Sequence, residues 1–233
     1  MRKQIVFTAP GRAELLETPL PAAAPDSVTV SMEYTVISSG TEKAALLDLP
    51  NSPGGSFPRC EGYCGVGTVA EAGPATDISP GSRVLVYHGV HSNWNIVPAA
   101  NVTAVLDSTL SSLDAAFVIL ASMGLGGVRK ARLEVGESAM VMGLGLLGMF
   151  AVQFCRLNGA YPVIAADPNP KRRELALQLG ADAALDPLAS DFTEQACSLT
   201  SGKGVSATIE VSGSSAAMYQ ALNCAAFQGR IVL

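Results

Sequence analysis

The chain has 233 residues, enough for one large or two modest domains with a buried core. Hydrophobic residues make up 48% of it and charged residues only 15%, and the net charge is −5, as in a well-buried globular enzyme. The one short basic run, residues 171–173, is too small to displace counterions from phosphates, so the composition argues against nucleic acid as a partner.

The sequence also argues against export and against a membrane span. Residues 1–10, MRKQIVFTAP, reach proline and polar residues before the apolar core of a signal peptide can form. Five cysteines, odd in number and without a Cys-x-x-Cys pair, do not suggest a disulfide framework. Three glycines interrupt the apolar residues 139–152, a run too short for a spanning helix. We therefore expect reduced thiols, a cytoplasmic location and no membrane partner.

The first third of the chain has the pattern of β structure with frequent breaks. Apolar and polar residues alternate over 28–36, which predicts a half-buried strand. Short apolar runs follow at 65–70, 83–87 and 94–97, and proline and glycine separate them. This spacing predicts a small β barrel.

A helical region then leads into the second domain. Ser112 precedes an apolar run with Asp114 in its first turn, which predicts that Ser112 caps a helix. Residues 125–133 predict a second, connecting helix. We place the domain boundary here, with domains of residues 1–125 and 126–233.

Residues 143–148 read GLGLLG, the Gly-x-Gly-x-x-Gly spacing of a dinucleotide-binding loop. A strand-length apolar run precedes them, and a helix-length segment that ends near Asn158-Gly159 follows. In such a loop the glycines allow a tight turn, close approach of the pyrophosphate, and close packing of helix on strand. The free N–H groups at the helix start favour a phosphate.

The next apolar run, residues 162–166, ends at Asp167, 19 residues after Gly148. An acid at this place accepts hydrogen bonds from ribose hydroxyls and would repel a 2′-phosphate, so Asp167 favours NAD. Arg172 is a counter-signal, because it could hold the phosphate of NADP, contact the ribose of NAD, or be an ordinary solvated residue of a helix start. The sequence predicts NAD and leaves NADP possible.

Helices and strands alternate beyond Asp167, which is typical of a doubly wound parallel sheet. We predict helices at 171–179, 192–199 and 215–224, and strands at 181–185, 205–210 and 230–233. A full dinucleotide-binding sheet has the strand order 3-2-1-4-5-6, so this sheet is expected to be incomplete after strand five. Because the sequence ends within an apolar strand, we expect a C-terminal truncation.

Three N-terminal segments resemble motifs of the medium-chain dehydrogenase/reductase superfamily, the group of zinc-type alcohol dehydrogenases. Residues 37–42 (ISSGTE) are similar to its Cys-Gly-Thr-Asp segment, residues 58–69 (PRCEGYCGVGTV) to its Gly-His-Glu segment, and residues 80–84 (PGSRV) to its Gly-Asp-Arg-Val turn. The resemblance covers nearly the whole chain. It implies an α/β protein with a GroES-like β barrel, a Rossmann domain and the active site between them. It also implies a homo-oligomer, although the family's dimer-forming strand is expected to be missing.

The resemblance places the catalytic zinc ligands of the family on Ser39, Cys60 and a position near Val118. A catalytic zinc site needs three ligands from Cys, His, Asp or Glu, and only Cys60 and the adjacent Glu61 qualify. We therefore predict no metal site and no zinc.

One alternative stays open, in which His88 or His91 completes a zinc site with Cys60 and Glu61. Plain structural roles stay open as well. The histidines would then be loop residues bonded to the backbone, Cys60 a small buried hydrophobe, and Glu61 a brace for its loop.

Together these features predict an oxidoreductase that transfers a hydride between a nicotinamide cofactor and an alcohol, aldehyde or ketone without zinc, as in the quinone reductase-like branch of the superfamily. Ser39 and Thr41 would then donate a proton or a hydrogen bond to the substrate, with Cys60 and Glu61 as further catalytic candidates. The alternative is a protein that binds NAD(P) without turnover. The predicted cofactor-binding residues, some implied only by the resemblance, are Ser122, Gly143, Gly145, Leu146, Leu147, Gly148, Asp167, Arg172, Val211, Ser212 and Gly213.

Overall fold

A computed structural model describes residues 1–50, 52 and 55–233. The chain forms two compact units, Met1–Ile119 and Leu120–Leu233. The division falls inside one helix, as does the predicted boundary after residue 125. The predicted α/β class is confirmed, with antiparallel strands in the first unit and a parallel sheet in the second.

The first unit consists mainly of short strands. Its elements are β1 (Arg2–Ala9), β2 (Arg12–Thr18), β3 (Ser27–Thr35), α1 (Ser39–Leu47), β4 (Cys64–Ala72), β5 (Arg83–Tyr87), β6 (Trp94–Pro98), β7 (Val102–Ala104) and α2 (Ser112–Ala116). Strands β1 and β2 form a hairpin, and the others form an antiparallel sheet in the order β6-β3-β4-β5-β7. The predicted runs at 28–36, 65–70, 83–87 and 94–97 all lie in or next to this sheet.

A cluster of six valines from four strands forms the core of the first unit. Val28, Val30, Val69, Val84 and Val86 are buried together, and Val97 joins them from β6. Branched side chains of this kind pack well on a pleated sheet. The prediction of a half-buried strand is wrong for the start of β3, where all of the first four residues are buried, because β3 lies between two strands and α2 packs against it.

The helical connection differs from its prediction in two respects. The cap of α2 is Ser111 instead of Ser112, because the Ser111 hydroxyl accepts a hydrogen bond from the Asp114 N–H at 3.1 Å. A separate helix, α3 (Val118–Ala131), follows after Phe117. The predicted connecting helix is therefore the second half of α3.

The second unit alternates strands and helices. After α3 come β8 (Ala139–Met142), α4 (Leu146–Leu157), β9 (Val163–Ala166), α5 (Pro170–Gln178), β10 (Ala183–Leu185), α6 (Phe192–Leu199), β11 (Val205–Glu210), α7 (Ser215–Cys224) and β12 (Ala225–Val232). The five strands are parallel in the order β10-β9-β8-β11-β12. The first strand of the unit is thus at the centre, as in the predicted dinucleotide-binding topology.

Both faces of this sheet are covered. Val141 of β8 belongs to a hydrophobic cluster with α4, whereas its neighbours Met140 and Met142 belong to a second cluster with α6 and α7. Helices on both faces explain why β8 and β9 consist only of buried apolar residues. Among the residues described, no helix has the length and apolar character needed to cross a membrane.

The predicted ends of the helices and strands were mostly accurate. Gly159 has a φ of 84° after α4, and the Asn169 side chain caps α5 by accepting from the Lys171 N–H at 3.0 Å. The last strand was predicted too short, since β12 begins at Ala225 directly after α7. Val205 of β11 pairs with Ala225, but Ala207 pairs with Arg230, so the register of β12 shifts between these two pairs. The additional residues of β12 are accommodated by this bulge-like irregularity.

Candidate functional site

The glycine loop joins the end of β8 to the start of α4. Gly143 has a φ of 90°, and a Cβ at this position would lie 2.6 Å from the backbone nitrogen of Ser212. A Cβ on Gly148 would overlap the carbonyl oxygen of Gly143. At Gly145, by contrast, nothing described lies within 4 Å of the Cβ position. Close packing therefore requires the first and third glycines, while the second borders open space.

This open space lies at the N-terminus of α4. Gly145 is the residue before the helix and has no side chain that could cap it. Helix geometry leaves the N–H groups of the first turn, Leu146 to Gly148, without acceptors in the helix. Together with the positive end of the helix dipole, they form a site that fits the pyrophosphate of a dinucleotide.

Asp167 fixes the loop from the end of β9. Its side chain is buried, with the residue 3% exposed. Oδ2 accepts a hydrogen bond from the Leu144 N–H at 2.8 Å, and Oδ1 accepts one from the Asn169 N–H at 2.8 Å. Each carboxylate oxygen can accept more than one hydrogen bond, so these contacts leave capacity for a ribose hydroxyl.

Two arginines of α5 lie next to Asp167 and differ in their surroundings. The Arg173 guanidinium donates to the carbonyl oxygens of Asp167 and Pro168 and pairs with Asp186 at 3.2 Å. Arg172 lies 3.4 Å from Asp167 Oδ2, and about half of its side chain is exposed. Arg172 is therefore the arginine that a bound phosphate could reach.

The end of β11 forms the other side of the glycine loop. Glu210 is buried there and accepts hydrogen bonds from the backbone N–H of Ser212, at 2.7 Å, and from its hydroxyl. These bonds hold Val211, Ser212 and Gly213 in a turn against Gly143.

Ser122, the remaining predicted cofactor-binding residue, is an exposed residue of α3. Sequence reasoning missed Glu210, whose signal is an acid at the carboxyl end of a buried strand.

The predicted catalytic residues all lie in the first unit. Ser39 and Thr41 are exposed in the first turn of α1, and Thr41 accepts a hydrogen bond from the Ser38 hydroxyl at 3.3 Å. Cys60 is also exposed, and partial burial, opposed by Arg2, raises the pKa of its thiol. Glu61 lies 3.5 Å from the Arg59 guanidinium. Cys60 is thus influenced by Arg2, and Glu61 lies next to Arg59. Neither residue has a hydrogen bond described here to the hydroxyl of Ser39 or Thr41.

The structure instead assembles a different polar cluster, formed by Thr35, Ser38, Glu42, Tyr63 and His91 (the Glu42–His91 cluster). Glu42 accepts a hydrogen bond from the Ser38 N–H at 2.7 Å and lies 2.8 Å from His91 Nε2. His91 Nδ1 is 2.8 Å from the Thr35 hydroxyl, and the Ser38 side chain lies near the phenol of Tyr63 and lowers its pKa. Glu42 and His91 are both buried, at 6% and 8% exposure.

Strand register brings this cluster together. Where the pairing of β3 with β4 ends, the Val36 N–H donates to the Cys64 carbonyl at 3.1 Å. On the other side of β4, the His88 N–H donates to the Tyr63 carbonyl at 2.8 Å. Tyr63 is thereby held between the start of α1 and the segment after β5. The spacing of residues along the sequence did not predict that Tyr63 would lie within the electrostatic influence of Glu42.

The side chains at the expected zinc positions do not fit a catalytic zinc. Ser39 and Val118 supply no thiolate, imidazole or carboxylate, and the exposed Cys60 is influenced by Arg2 and Glu61. His88 stacks on Tyr87 with ring centroids 3.8 Å apart, and both ring nitrogens of His91 have partners in the cluster. Within the described part of the chain, no three His, Cys, Asp or Glu residues are grouped so that they could hold a metal ion.

Sequence comparisons relate the chain to dehydrogenases. Residues 147–233 match the family described as zinc-binding dehydrogenase. An alcohol dehydrogenase of Cupriavidus necator is 27% identical over 95% of this chain and 73% of its own length. A D-guloside 3-dehydrogenase of Escherichia coli is 34% identical over 71% of this chain and 48% of its own length. An L-threonine 3-dehydrogenase of Pyrococcus horikoshii is 37% identical over 42% of this chain and 28% of its own length.

Structural comparison extends the similarity to 99% of the chain. A protein from Sinorhizobium meliloti, described as a zinc-binding dehydrogenase bound to NADP, has a TM-score of 0.87 and 26% identity, with 75% of that protein covered. A quinone oxidoreductase of Pseudomonas syringae shares the fold, with a TM-score of 0.86 and 23% identity over 72% of its chain. By its glycine loop, its parallel sheet and these similarities, the chain resembles the zinc-type, alcohol dehydrogenase-like group of the medium-chain dehydrogenase/reductase superfamily of NAD(P)-dependent oxidoreductases.

Proposed function

We propose that this chain binds NAD(P) in its second unit and transfers a hydride between the cofactor and an alcohol, aldehyde or ketone. The observation that carries this proposal is the open space at Gly145, which lies at the N-terminus of α4 and next to the loop held by Asp167. The bound cofactor supplies the hydride or accepts it. The chain's own residues hold the cofactor and handle the proton.

The cofactor contacts follow from the loop geometry. The N–H groups of Leu146, Leu147 and Gly148 bind the pyrophosphate, and Asp167 accepts from the ribose of NAD. Ser122 and residues 211–213 are assigned to the nicotinamide end on the resemblance alone. NADP stays possible because Arg172 is exposed next to Asp167 and because the relative from Sinorhizobium meliloti binds NADP.

We further propose that the reaction proceeds without zinc, since the donors at the expected positions do not form a zinc site. Ser39 and Thr41 are then candidates to donate hydrogen bonds to the substrate oxygen, with Cys60 and Glu61 as less direct candidates. The substrate is a small molecule, and the active protein is proposed to be a homo-oligomer, as the resemblance implies. Five free cysteines support a cytoplasmic location.

Calorimetric titration with NADH and NADPH tests the cofactor assignment. Asp167→Asn should weaken NADH binding about 10-fold, the effect of losing one charge-assisted hydrogen bond, while NADPH binding is unchanged or tighter. The amide oxygen of asparagine can still accept from the Leu144 N–H, but its NH2 group replaces the acceptor of the Asn169 N–H. The Tm of the variant is therefore measured as well, and a retained Tm assigns the lost affinity to the ribose contact. Glu174→Gln on the exposed face of α5 is the matched control and should change neither affinity. Unchanged NADH binding in Asp167→Asn would remove Asp167 from the site.

Turnover is tested by following nicotinamide absorbance with a panel drawn from the relatives' names: ethanol, L-threonine, 2,3-butanediol, methyl D-guloside and 1,4-benzoquinone. Oxidation or reduction of any member supports the oxidoreductase. NADH binding with no absorbance change across the panel would favour the alternative, a protein that binds the cofactor without turnover. Zinc that remains at one equivalent per chain after a chelator wash would refute the zinc-free proposal.

A further inference from the structure

The Glu42–His91 cluster contains one acid–base group that solvent can reach. His91 is buried, and its ring nitrogens already contact Glu42 and Thr35. Cys64, the next titratable neighbour, is buried with its thiol on the Val36 carbonyl, and burial raises its pKa to about 11. Tyr63 is only partly buried. Among the ionisable residues of the cluster, Glu42, Tyr63 and His91, Tyr63 is therefore the one that is not buried.

Aromatic rings mark the approach to Tyr63. Tyr87 contacts it edge to face with centroids 6.4 Å apart, and His88 stacks on Tyr87 at 3.8 Å. Tyr87 and His88 are both exposed. Ring faces next to the Tyr63 hydroxyl suit a substrate with a carbon skeleton and a reacting oxygen.

We propose that Tyr63 donates the proton to the substrate oxygen, and that Glu42 and His91 hold Tyr63 in position through Ser38 and through the loop before β4. This inference rests on the proposed function and names its proton donor. It assigns Tyr63 as a catalytic residue and Glu42 and His91 as positioning residues.

The proton and electron balance of the reduction is simple. The carbonyl carbon of the substrate receives a hydride from the reduced nicotinamide, and the π pair of the C=O bond moves to oxygen. That oxygen takes the proton of the Tyr63 hydroxyl, whose bonding pair stays on the phenol oxygen. The Ser38 hydroxyl, which donates to Thr41 in the structure, turns to donate to the phenolate, and the phenolate then regains a proton from water. Oxidation of an alcohol is the reverse.

Two sets of contacts hold Tyr63 in place. On the α1 side, the Glu42 carboxylate fixes the backbone of Ser38, whose hydroxyl contacts the phenol. On the other side, the His91 N–H donates to the Glu61 carbonyl at 2.9 Å, which ties the loop that carries Tyr63 to His91. Because the His91 ring also contacts Glu42, the two sides form one unit.

Gly62 allows this close fit. It has a φ of 113°, and a Cβ on it would lie 2.8 Å from the backbone nitrogen of His91. Only glycine adopts this conformation without strain and leaves room for His91. The loop is thus built to bring Tyr63 and His91 together.

Burial and the negative charge of Glu42 both raise the pKa of Tyr63, and the Ser38 hydrogen bond opposes them. The phenol is protonated at neutral pH, the state that a proton donor needs, while the raised pKa also makes it a weaker acid. Geometry and protonation state therefore agree.

The first test compares Tyr63→Phe with Tyr219→Phe, which removes a hydroxyl from an exposed tyrosine of α7, in assays with the panel members that the wild type converts. We expect Tyr63→Phe to lower kcat about 100-fold or more, the usual contribution of general acid catalysis, with KM and Tm little changed. Tyr219→Phe should retain kcat. An active wild type whose Tyr63→Phe variant keeps its kcat would overturn this proposal alone. A wild type inactive on the whole panel would overturn the proposed function and this proposal with it.

The second test needs neither cofactor nor turnover. Proteins with ¹³C-labelled tyrosine are titrated by NMR, and the Tyr63 signal is assigned by its loss in Tyr63→Phe. Glu42→Gln should lower the pKa of Tyr63, because a negative charge is removed, and Ser38→Ala should raise it. If both variants leave this pKa unchanged while Tm is retained, Glu42 and Ser38 do not act on Tyr63 and the positioning role is wrong.

Discussion

Three glycine-to-alanine variants should separate packing from cofactor binding in the second unit. Gly143→Ala places a methyl group 2.6 Å from Ser212 N and 2.7 Å from its Cα, both backbone atoms, at a φ of 90°. The conformation costs about 1–2 kcal/mol for an L residue, and overpacking costs about 1–3 kcal/mol. We take a loss of about 3 kcal/mol as the expected value, which lowers Tm by about 6–12 °C in a chain of this size.

Gly145→Ala should behave differently, because nothing described lies within 4 Å of its Cβ position and Gly145 has a φ of −76°. Its Tm should stay within about 2 °C of the wild type, as expected for a change that strains no contact. Its methyl group would occupy the space proposed for the pyrophosphate. NADH affinity should therefore fall about 10-fold or more, the equivalent of about 1.4 kcal/mol.

Gly126→Ala in α3 is the matched control. It also meets nothing within 4 Å, and alanine in a helix interior is favoured over glycine by about 0.5–1 kcal/mol. Its Tm should rise slightly, and NADH affinity should not change. Thermal melts and calorimetric titrations of the three variants decide the matter. Wild-type NADH affinity in Gly145→Ala would contradict the pyrophosphate site, and a Tm of Gly143→Ala equal to that of Gly126→Ala would contradict the packing role of Gly143.

Three further outcomes follow from local contacts. Asn169→Ala removes the cap of α5 and should cost about 1 kcal/mol in urea melts, whereas Asn169→Asp should not. Maleimide should label Cys60 in the native protein but label Cys64 and Cys155 only after unfolding, as peptide mapping would show. Burial raises the pKa of Cys155 to about 12, so the folded thiol stays protonated where the unfolded one ionises. The free energy of unfolding should therefore fall above about pH 9, and Cys155 should contribute about 1.4 kcal/mol per pH unit to this fall. In Cys155→Ala the free energy of unfolding should fall less steeply with pH.

The second unit could be predicted from the sequence because its signals are local. The turn at Gly143, the stop at Gly159 and the cap at Asn169 each depend on a few neighbouring residues and on backbone sterics. Strand β12 was misplaced because its start is set by pairing with β11, which the sequence of β12 alone does not reveal. Asp167 was identified by its spacing, whereas its hydrogen bond to Leu144 depends on how β9 and the loop pack.

The substrate side could not be predicted in the same way, since its cluster depends on register between distant segments. The sequence drew attention to Cys60 and Glu61, but the antiparallel pairing of β3, β4 and β5 places Tyr63 opposite the start of α1. In this chain α1 carries Glu42 as well as Ser39, and the segment of Cys60 and Glu61 also carries the partly buried Tyr63. Glu42 is paired with the buried His91. For these reasons we prefer the hypothesis of proton transfer by Tyr63 to that of catalysis by Cys60.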